Sequence, residues 1–357
     1  MFDVVRSWID RFLSEEEAVL LAAILISCTI VILTMGKILA PLLTGIVIAY
    51  VMQGAIKAFE RLHFPKGLAV WCTFLMFMGG FVALLLVVIP RVWRQMRLLF
   101  DNLPAMVQEA QGLLHELPAK YPQFVSEQIA VSWGDLLNEQ VGDIGQWLVS
   151  VSISQLPLIV TVAVYTMLIP IVVFFLLKDQ DEIVNWFKLR LPAHRPLLNR
   201  IGHEMNIQMS NYIRGKVIEI IIVGGASYVI FKIFGLNYAA LLAFLVGLSV
   251  IVPYVGFVAV TFPVVIIAYL QFGWSPDLLW LLGWYFALQS LDGLVIVPLL
   301  FSEAVNLHPV AIITAILVFG SWWGLWGVFF AIPLATLVKS VMSSWPRGEN
   351  EEGAGAG

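Results

Sequence analysis

The chain has 357 residues, of which 60% are hydrophobic and only 12% are charged, and its mean hydropathy is +0.91. Soluble domains carry about 25% charged residues, so this composition excludes a soluble protein and predicts an all-α polytopic integral membrane protein in contact with the lipid bilayer. The net charge of −4 is small and no long basic run occurs, which argues against nucleic acid as a partner.

The first two apolar runs lie close together in the sequence. Ala18–Met35 and Ile38–Gly54 are each long enough to cross a bilayer, which takes about 20 apolar residues. Only Gly36 and Lys37 separate them, so we expect a tight helical hairpin. Further runs raise the number of predicted transmembrane helices to eight; the other six are 68–90, 153–177, 217–234, 239–254, 257–272 and 279–301.

The last apolar block, 309–338, is interrupted by glycines at positions 320, 324 and 327. We interpret it as two half-length or tilted segments that form a broken or re-entrant hairpin, with one long helix as the alternative. The tail that follows, 346–357, is acidic and rich in glycine and is predicted to be disordered.

Charges in the connecting segments predict the orientation, because cytoplasmic loops are rich in Lys and Arg. Segment 55–67 holds three such residues against one acid, and 178–216 holds seven against four, so both are expected in the cytoplasm. Segment 91–152 holds four against seven and is expected outside. With this span count both termini are predicted to be cytoplasmic. The chain then divides into 1–90, 91–152, 153–177, a cytoplasmic segment 178–211, a membrane core 212–345 and the tail.

Two segments between the spans are predicted to form amphipathic helices. In the outer segment, 91–152, apolar residues recur every three or four positions. Asp101 or Asn102, just before Pro104, is a candidate cap for a second helix there. The segment is interpreted as a helical cap on the bundle, or else as a lid or an oligomer contact. The cytoplasmic segment, 178–211, has a similar stripe, and its basic residues are expected at the lipid headgroups.

Polar residues within the eighth predicted span form the leading candidate site. Asp292 lies about midway along this span, and Gln289 lies one turn earlier on the same face. A carboxylate at membrane depth costs a few kcal/mol, so such residues usually line a pathway or pair inside a bundle. We hypothesise that Asp292 carries a proton or coordinates a cation. The alternative is a structural hydrogen bond between helices.

Three further charged residues, together with His308, are candidates for the transport pathway or its coupling. Glu219 shares a helix face with Lys216, so it is either a coupling carboxylate or the partner of Lys216 in an interfacial ion pair. Glu303 and His308 flank the predicted cytoplasmic end of the eighth span, where either a gate or simple exposure to headgroups accounts for them.

Prolines in the second half of the chain predict helix breaks. A proline inside a helix removes one backbone hydrogen bond and frees a carbonyl, which in a membrane must be satisfied by protein or by a water-filled cavity. Broken helices often hold substrates or ions near the midplane. Each proline alone could be a simple kink, but four near Asp292 favour a pathway; they are Pro253, Pro263, Pro298 and Pro333.

Several short motifs occur in a specific order along nearly the whole chain. They include Pro41-x-x-x-Gly45-x-x-Ile48-Ala49-Tyr50, Phe174–Asp179, Asn211–Lys216, Gly235–Tyr238, Val252–Gly256, the stretch from Asp292 to Pro309, and Ala331–Ala335. Through these motifs the chain resembles the AI-2E family of permeases. The resemblance implies a bacterial inner-membrane transporter, in a family named for export of the quorum-sensing signal autoinducer-2, with other members linked to sodium/proton exchange.

Three classes of function compete. A secondary transporter that exports a small molecule is favoured, since the sequence has no GxxxxGK[ST] loop to hold ATP; a sodium/proton antiporter is the alternative within the family. An intramembrane enzyme would need a nucleophile with a base or a metal cluster, but there is no HExxH and the five histidines are scattered. No catalytic residue, cofactor or metal is predicted. An oligomeric channel or scaffold is the third class, and the amphipathic segments are compatible with a homo-oligomer.

Overall fold

The computed structural model describes residues 16–120, 155–192, 195–253, 255–301 and 307–344, with a few positions between 126 and 134. Every regular element in these ranges is helical, which confirms the predicted all-α fold. The helices are α1 (Glu16–Arg61), α2 (Lys66–Ala83), α3 (Ile89–Lys120), α4 (Gln155–Lys178), α5 (Gln180–Lys188), α6 (Pro196–Ile233), α7 (Ala239–Ser249), α8 (Val255–Phe272), α9 (Pro276–Leu291), α10 (Val297–Phe301) and α11 (Pro309–Ser344).

Two π-helical turns interrupt the α-helices, Leu84–Val88 between α2 and α3 and Asp292–Ile296 between α9 and α10. Seven segments of the described chain are long and apolar enough to cross a membrane, which confirms a polytopic membrane protein. They are 17–36, 38–61, 66–116, 161–178, 255–272, 276–301 and 309–343.

Two of the predicted spans differ from expectation. The helix within 239–254, α7, has only 11 residues. At 1.5 Å per residue it is about 16 Å long, roughly half the thickness of a bilayer core. The segment 217–234 forms the C-terminal half of α6, a helix that is not among the seven.

The predicted hairpin at Gly36 and Lys37 is wrong. Helix α1 is uninterrupted over 46 residues, a length of about 70 Å and more than twice a bilayer core. A glycine inside a helix costs about 1 kcal/mol relative to alanine but keeps the backbone hydrogen bonds, so Gly36 does not end the helix. Its missing side chain instead makes room for the indole of Trp323. The cytoplasmic N-terminus relied on this hairpin and stays a prediction.

The predicted second helix at Asp101 or Asn102 is also wrong, because α3 continues through Pro104 to Lys120. The side chain of Asn102 does not cap a helix but donates to the hydroxyl of Tyr238 at 2.9 Å. Leu99 and Met106 of α3 pack against a buried hydrophobic core. This packing stabilises the helix across the proline and is the contact expected of a helical cap on the bundle.

The C-terminal block forms the predicted hairpin and not the alternative long helix. Gly324 adopts φ 61° and ψ −137°, a conformation that is essentially restricted to glycine. The chain reverses there, so that Gly327 lies directly against the carbonyl of Phe319, where a Cβ could not fit. Two helical arms result, 309–323 and 325–344.

The chain forms two compact units. The first unit is drawn from Met1–Leu75, Leu168–Ile218 and Ile296–Gly357, and the second unit from Met76–Met167 and Glu219–Val295. The core of the second unit lies among α6, α7, α8 and α9 and consists of Val223, Phe231, Leu236, Ala239, Leu242, Ala243, Val246, Val264, Ile267, Ala268, Leu278, Leu281 and Tyr285.

Neighbouring helices of the second unit run antiparallel. Gly224 of α6 packs against Gly247 of α7, with a Cβ on Gly224 placed only 3.3 Å from the Cα of Gly247. Short connections of five and three residues then reverse the chain between α7, α8 and α9. Consequently α6 and α8 point one way, and α7 and α9 point the other.

Candidate functional site

Helix α9 places Asp292 at the end of a core-facing stripe. The helix begins with Ser275, whose hydroxyl accepts from the backbone N–H of Leu278 at 3.3 Å, and Pro276 follows at a position where its missing N–H costs nothing. Tyr285 and Leu288 are buried along one face. Asp292 continues this face one turn beyond Leu288 and is only 9% exposed.

The π-helical turn at Asp292 has a local cause in the sequence. Pro298 has no N–H to donate to the carbonyl of Leu294 four residues earlier, and its ring crowds that carbonyl. The chain widens into the turn Asp292–Ile296 just before this proline. Such π-bulges often occur at functional sites. Asp292 therefore starts a stretch in which the regular hydrogen-bond pattern changes.

Glu219 belongs to the same unit and is more deeply buried than Asp292. It is 1% exposed and precedes Val223 of the hydrophobic core by one turn of α6. Ser227, two turns after Glu219, is also fully buried. The inner face of α6 within the second unit therefore alternates buried polar and apolar side chains, since Phe231 follows one turn after Ser227.

Asp292 and Glu219 lie toward the same end of the antiparallel bundle. The rings of Phe231 and Tyr285 are 5.9 Å apart and set the register between α6 and α9. From this level, Asp292 is seven residues further along α9 and Glu219 is twelve residues back along α6. Both steps go in one direction because the helices are antiparallel. They correspond to about 10 Å and about 18 Å, so the backbones at the two positions differ in depth by about 8 Å.

Gln289 belongs to a group of neutral polar side chains that lie within two helical turns before Asp292. The Tyr285 hydroxyl interacts with the side chain of Gln289 and lies 2.9 Å from the hydroxyl of Thr261. The Thr261 hydroxyl also donates to the carbonyl of Phe257. The structure thus links Gln289 to α8 through Tyr285.

Lys216 lies in a cluster of aromatic residues in the first unit. It is 4% exposed, and its Nζ is 5.1 Å from the centre of the Phe301 ring, a cation–π contact that stabilises a desolvated ammonium. Gly215 lets this ring approach, since a Cβ there would lie 2.8 Å from Phe301. Tyr212 packs on Phe301 and donates its hydroxyl to the carbonyl of Phe329 at 2.8 Å. The predicted ion pair of Lys216 with Glu219 stays a prediction.

The other candidates occupy varied positions. Glu303 lies outside the described residues. Pro253 is in the turn between α7 and α8, whereas Pro263 and Pro333 lie inside α8 and α11, which continue past them. Pro298 is the second residue of α10. Within the described ranges no three His, Cys, Asp or Glu side chains come together as a metal site.

Comparison with known proteins places this architecture in a family. A family model for the AI-2E family transporter matches residues 19–347. The chain belongs to the AI-2E transporter family. The Escherichia coli K12 protein PerM, named as a permease, is 40% identical over 349 residues, or 98% of this chain and 99% of PerM. Two Bacillus subtilis proteins that are named as transport proteins are also similar. YueF is 25% identical, over 84% of this chain and 82% of YueF. YrrI is 24% identical, over 89% of this chain and 90% of YrrI.

The AI-2E resemblance rested partly on motifs that prove to meet in the first unit, a contact that sequence reasoning missed. Arg214 donates from Nε to the backbone carbonyl of Tyr50 at 3.0 Å, and the Tyr50 hydroxyl donates to Asn206 at 3.0 Å. Burial lowers the pKa of Arg214, although a guanidinium remains charged in proteins. A lone tyrosine and a lone arginine at the ends of apolar runs were the signal available, but 164 residues separate them.

Proposed function

We propose that this AI-2E family member is a secondary transporter of the bacterial inner membrane that exports a small molecule such as autoinducer-2, coupled to cation movement through Asp292 and Glu219. The observation that carries the proposal is the placement of two buried carboxylates along one antiparallel bundle of the second unit. The small molecule and the export direction come from the family name. The coupling residues are those that the sequence suggests, and their burial in the structure supports the choice.

The cost of these carboxylates argues for a role in transport. An acidic residue at the centre of a membrane helix costs about 2.5–3.5 kcal/mol on an insertion scale, and such residues usually mark ion or substrate pathways. Core packing alone would be better served by leucine or valine, which occupy the neighbouring positions of α6 and α9. We therefore assign Asp292 and Glu219 to the coupling pathway.

The difference in depth gives the two carboxylates separate tasks. Because the backbones at the two positions differ in depth by about 8 Å, we do not assign one cation to both carboxylates at once. A proton or metal cation moving through the second unit would instead meet them in succession. Two oxygen-bearing side chains, Gln289 and Tyr285, lie one and two turns before Asp292. Asp292 also begins a π-helical turn, in which the backbone carbonyls do not follow the regular α-helical hydrogen-bond pattern.

Vesicle uptake tests this function. Inside-out vesicles that contain the protein are given autoinducer-2 with and without an imposed cation gradient, because exported solute accumulates inside them. The wild type is expected to accumulate autoinducer-2 only with the gradient, and Asp292→Asn is expected to match vesicles without the protein. Accumulation by Asp292→Asn at the wild-type rate would overturn the role of Asp292. Gradient-independent equilibration in the wild type would instead indicate a channel, and no uptake at all would favour a scaffold.

A sodium/proton antiporter is the second candidate, favoured by the oxygen-rich surroundings of Asp292. Carboxylate, amide and hydroxyl oxygens suit hard cations, and Gln289, Tyr285 and Thr261 supply the neutral ones. Sodium added to vesicles in the absence of autoinducer-2 distinguishes the two. Proton movement driven by sodium alone supports the antiporter, and proton movement that requires autoinducer-2 supports the exporter.

A further inference from the structure

A cavity of about 420 Å³ lies at the end of the second unit opposite to Asp292 and Glu219. Its volume is in the range of small-molecule sites, about 300–1,000 Å³. It lies just past the Phe231–Tyr285 level, where α6 ends and α7 begins, and one wall comes from α3. This is the end of the bundle predicted to face outside. The polar side chains that line it are Gln95, Asn102, Tyr228, Lys232, Asn237 and Tyr238.

The charge of this lining is positive. Lys232 is the one ionised side chain among the described residues that line the cavity. Its neighbours include the amides of Asn102 and Asn237, each of which carries two N–H donors. An ammonium together with amide donors attracts negative charge and hydroxyl groups.

Hydrogen bonds hold several parts of the cavity in place. Gln95 accepts from the backbone N–H of Leu241 at 2.8 Å, which leaves its amide N–H groups as donors. Asn102 donates to the Tyr238 hydroxyl. Gln271 accepts from the N–H of Asn237 at 2.7 Å and donates to the carbonyl of Gly235 at 2.9 Å, so it fastens both ends of the loop between α6 and α7. A lining fixed in advance loses less entropy when a ligand binds.

We infer that this cavity binds a small organic anion that also carries hydroxyl groups, with Lys232 pairing the negative charge. As a substrate site the cavity depends on the proposed transport function, whereas binding itself does not. Two sources can supply the anion, a free solute or the headgroup of an anionic lipid. We favour the solute, because side-chain amides and phenols line the cavity together with the exposed Lys232 and suit a ligand with several hydroxyl groups.

Calorimetric titration of the full chain in phosphatidylcholine nanodiscs tests the inference, with gluconate as the anionic probe and sorbitol as its neutral analogue. Gluconate is expected to bind saturably, and sorbitol at least tenfold more weakly. Lys232→Gln should weaken gluconate binding at least tenfold. Arg97→Gln is the matched control, since this exposed cation of α3 does not line the cavity, and it should change the affinity less than twofold.

A second variant and a second lipid complete the test. Asn102→Asp adds a carboxylate of equal size, which can accept from the Tyr238 hydroxyl and should abolish gluconate binding. In phosphatidylglycerol nanodiscs the gluconate affinity should fall only about sevenfold, the effect of a surface potential near −50 mV on a monovalent anion.

Three results would overturn the inference: equal binding of gluconate and sorbitol, no saturable gluconate binding, or an unchanged affinity in Lys232→Gln. Loss of gluconate binding only in phosphatidylglycerol would assign the cavity to a lipid headgroup and overturn the solute. Failure of binding with intact autoinducer-2 uptake counts against the cavity alone. Binding without any uptake counts against the transport function alone.

Discussion

The two π-helical turns share a sequence pattern but hold different residues at their first position. Leu84–Val88 and Asp292–Ile296 each end two residues before a proline, Pro90 in one and Pro298 in the other. The first turn is entirely apolar and has no buried residue, and its Leu84 is 41% exposed. The second turn begins with the buried Asp292. A proline therefore accounts for the backbone, and the buried carboxylate is what distinguishes the second turn.

The two turns differ in what they can contribute to transport, although both interrupt a helix in the same way. An apolar π turn on the surface of a membrane helix meets lipid and has no polar side chain to offer an ion. The same turn with its first residue inside a bundle combines altered carbonyls with a carboxylate. We thus expect changes to Asp292 or to Pro298 to alter transport, and the equivalent changes at the first turn to alter only stability.

The largest expected effect is that of Asp292→Asn, compared with Leu84→Asn at the equivalent position. Asparagine keeps the size of the aspartate and removes its charge, so coupled autoinducer-2 uptake should fall to the level of empty vesicles while the protein stays folded. Leu84→Asn should retain uptake. Both are measured in inside-out vesicles with matched protein amounts. Equal loss in the two variants would mean that the second turn has no special role.

Glu219→Gln should have a smaller effect on transport than Asp292→Asn. Glu219 is fully buried but lies outside the π turn. Its loss removes one of the two carboxylates that a cation is proposed to meet in succession and leaves Asp292 in place. We expect uptake to fall about tenfold, which corresponds to about 1.4 kcal/mol. The comparison uses initial rates at several cation gradients. An unchanged rate at every gradient would remove Glu219 from the pathway.

Replacement of Pro90 or Pro298 by alanine tests whether the backbone of each π-helical turn matters for transport and stability. Pro298→Ala and Pro90→Ala each restore an N–H, and each should raise stability by about 1–3 kcal/mol, because a proline inside a helix costs about 3 kcal/mol. If the π turn closes to an α turn, the helix after it rotates by about 100° relative to Asp292. Uptake should therefore fall in Pro298→Ala alone, while thermal unfolding in detergent reports both stabilities. Normal uptake with a stabilised Pro298→Ala would show that the π turn is dispensable.

Gly293→Ala should have the smallest effect. Gly293 follows Asp292 in the turn, and a Cβ there meets no atom within 4 Å. Alanine should stabilise the helix by about 0.5–1 kcal/mol and leave uptake within about twofold of wild type. A large loss of uptake would instead mean that the region around Gly293 must flex or admit a ligand. Thermal unfolding and vesicle uptake provide the two readings.

The sequence predicted those features that depend on local composition. Apolar length predicted most of the membrane helices, and the glycines around Gly324 predicted the C-terminal hairpin. The same reasoning predicted a hairpin at Gly36 and was wrong there. A glycine serves either a turn or the close approach of another side chain, and only the structure shows Trp323 beside Gly36. For the same reason the sequence suggests Asp101 or Asn102 as a helix cap, whereas the structure shows Asn102 in contact with Tyr238.

The candidate site was accessible from the sequence in part. A carboxylate within an apolar run made Asp292 conspicuous, and its burial agrees with the predicted position inside a bundle. The π-helical turn had no pattern that could be read in advance, since a proline equally predicts a kink. Contacts between segments far apart in the chain could not be predicted either. Examples are the hydrogen bond from Arg214 to Tyr50 and the cavity that both Gln95 and Lys232 line.

The most direct test of the central claim measures solute and cation movement together. Purified protein in sealed vesicles with an internal pH dye receives autoinducer-2 or sodium in separate runs, and the vesicle contents of autoinducer-2 and sodium are followed in parallel, for wild type, Asp292→Asn and Leu84→Asn. The account predicts that autoinducer-2 moves protons or sodium in wild type and Leu84→Asn, and neither in folded Asp292→Asn. Autoinducer-2 movement without either cation in wild type, or the same cation movement in Asp292→Asn, would contradict it.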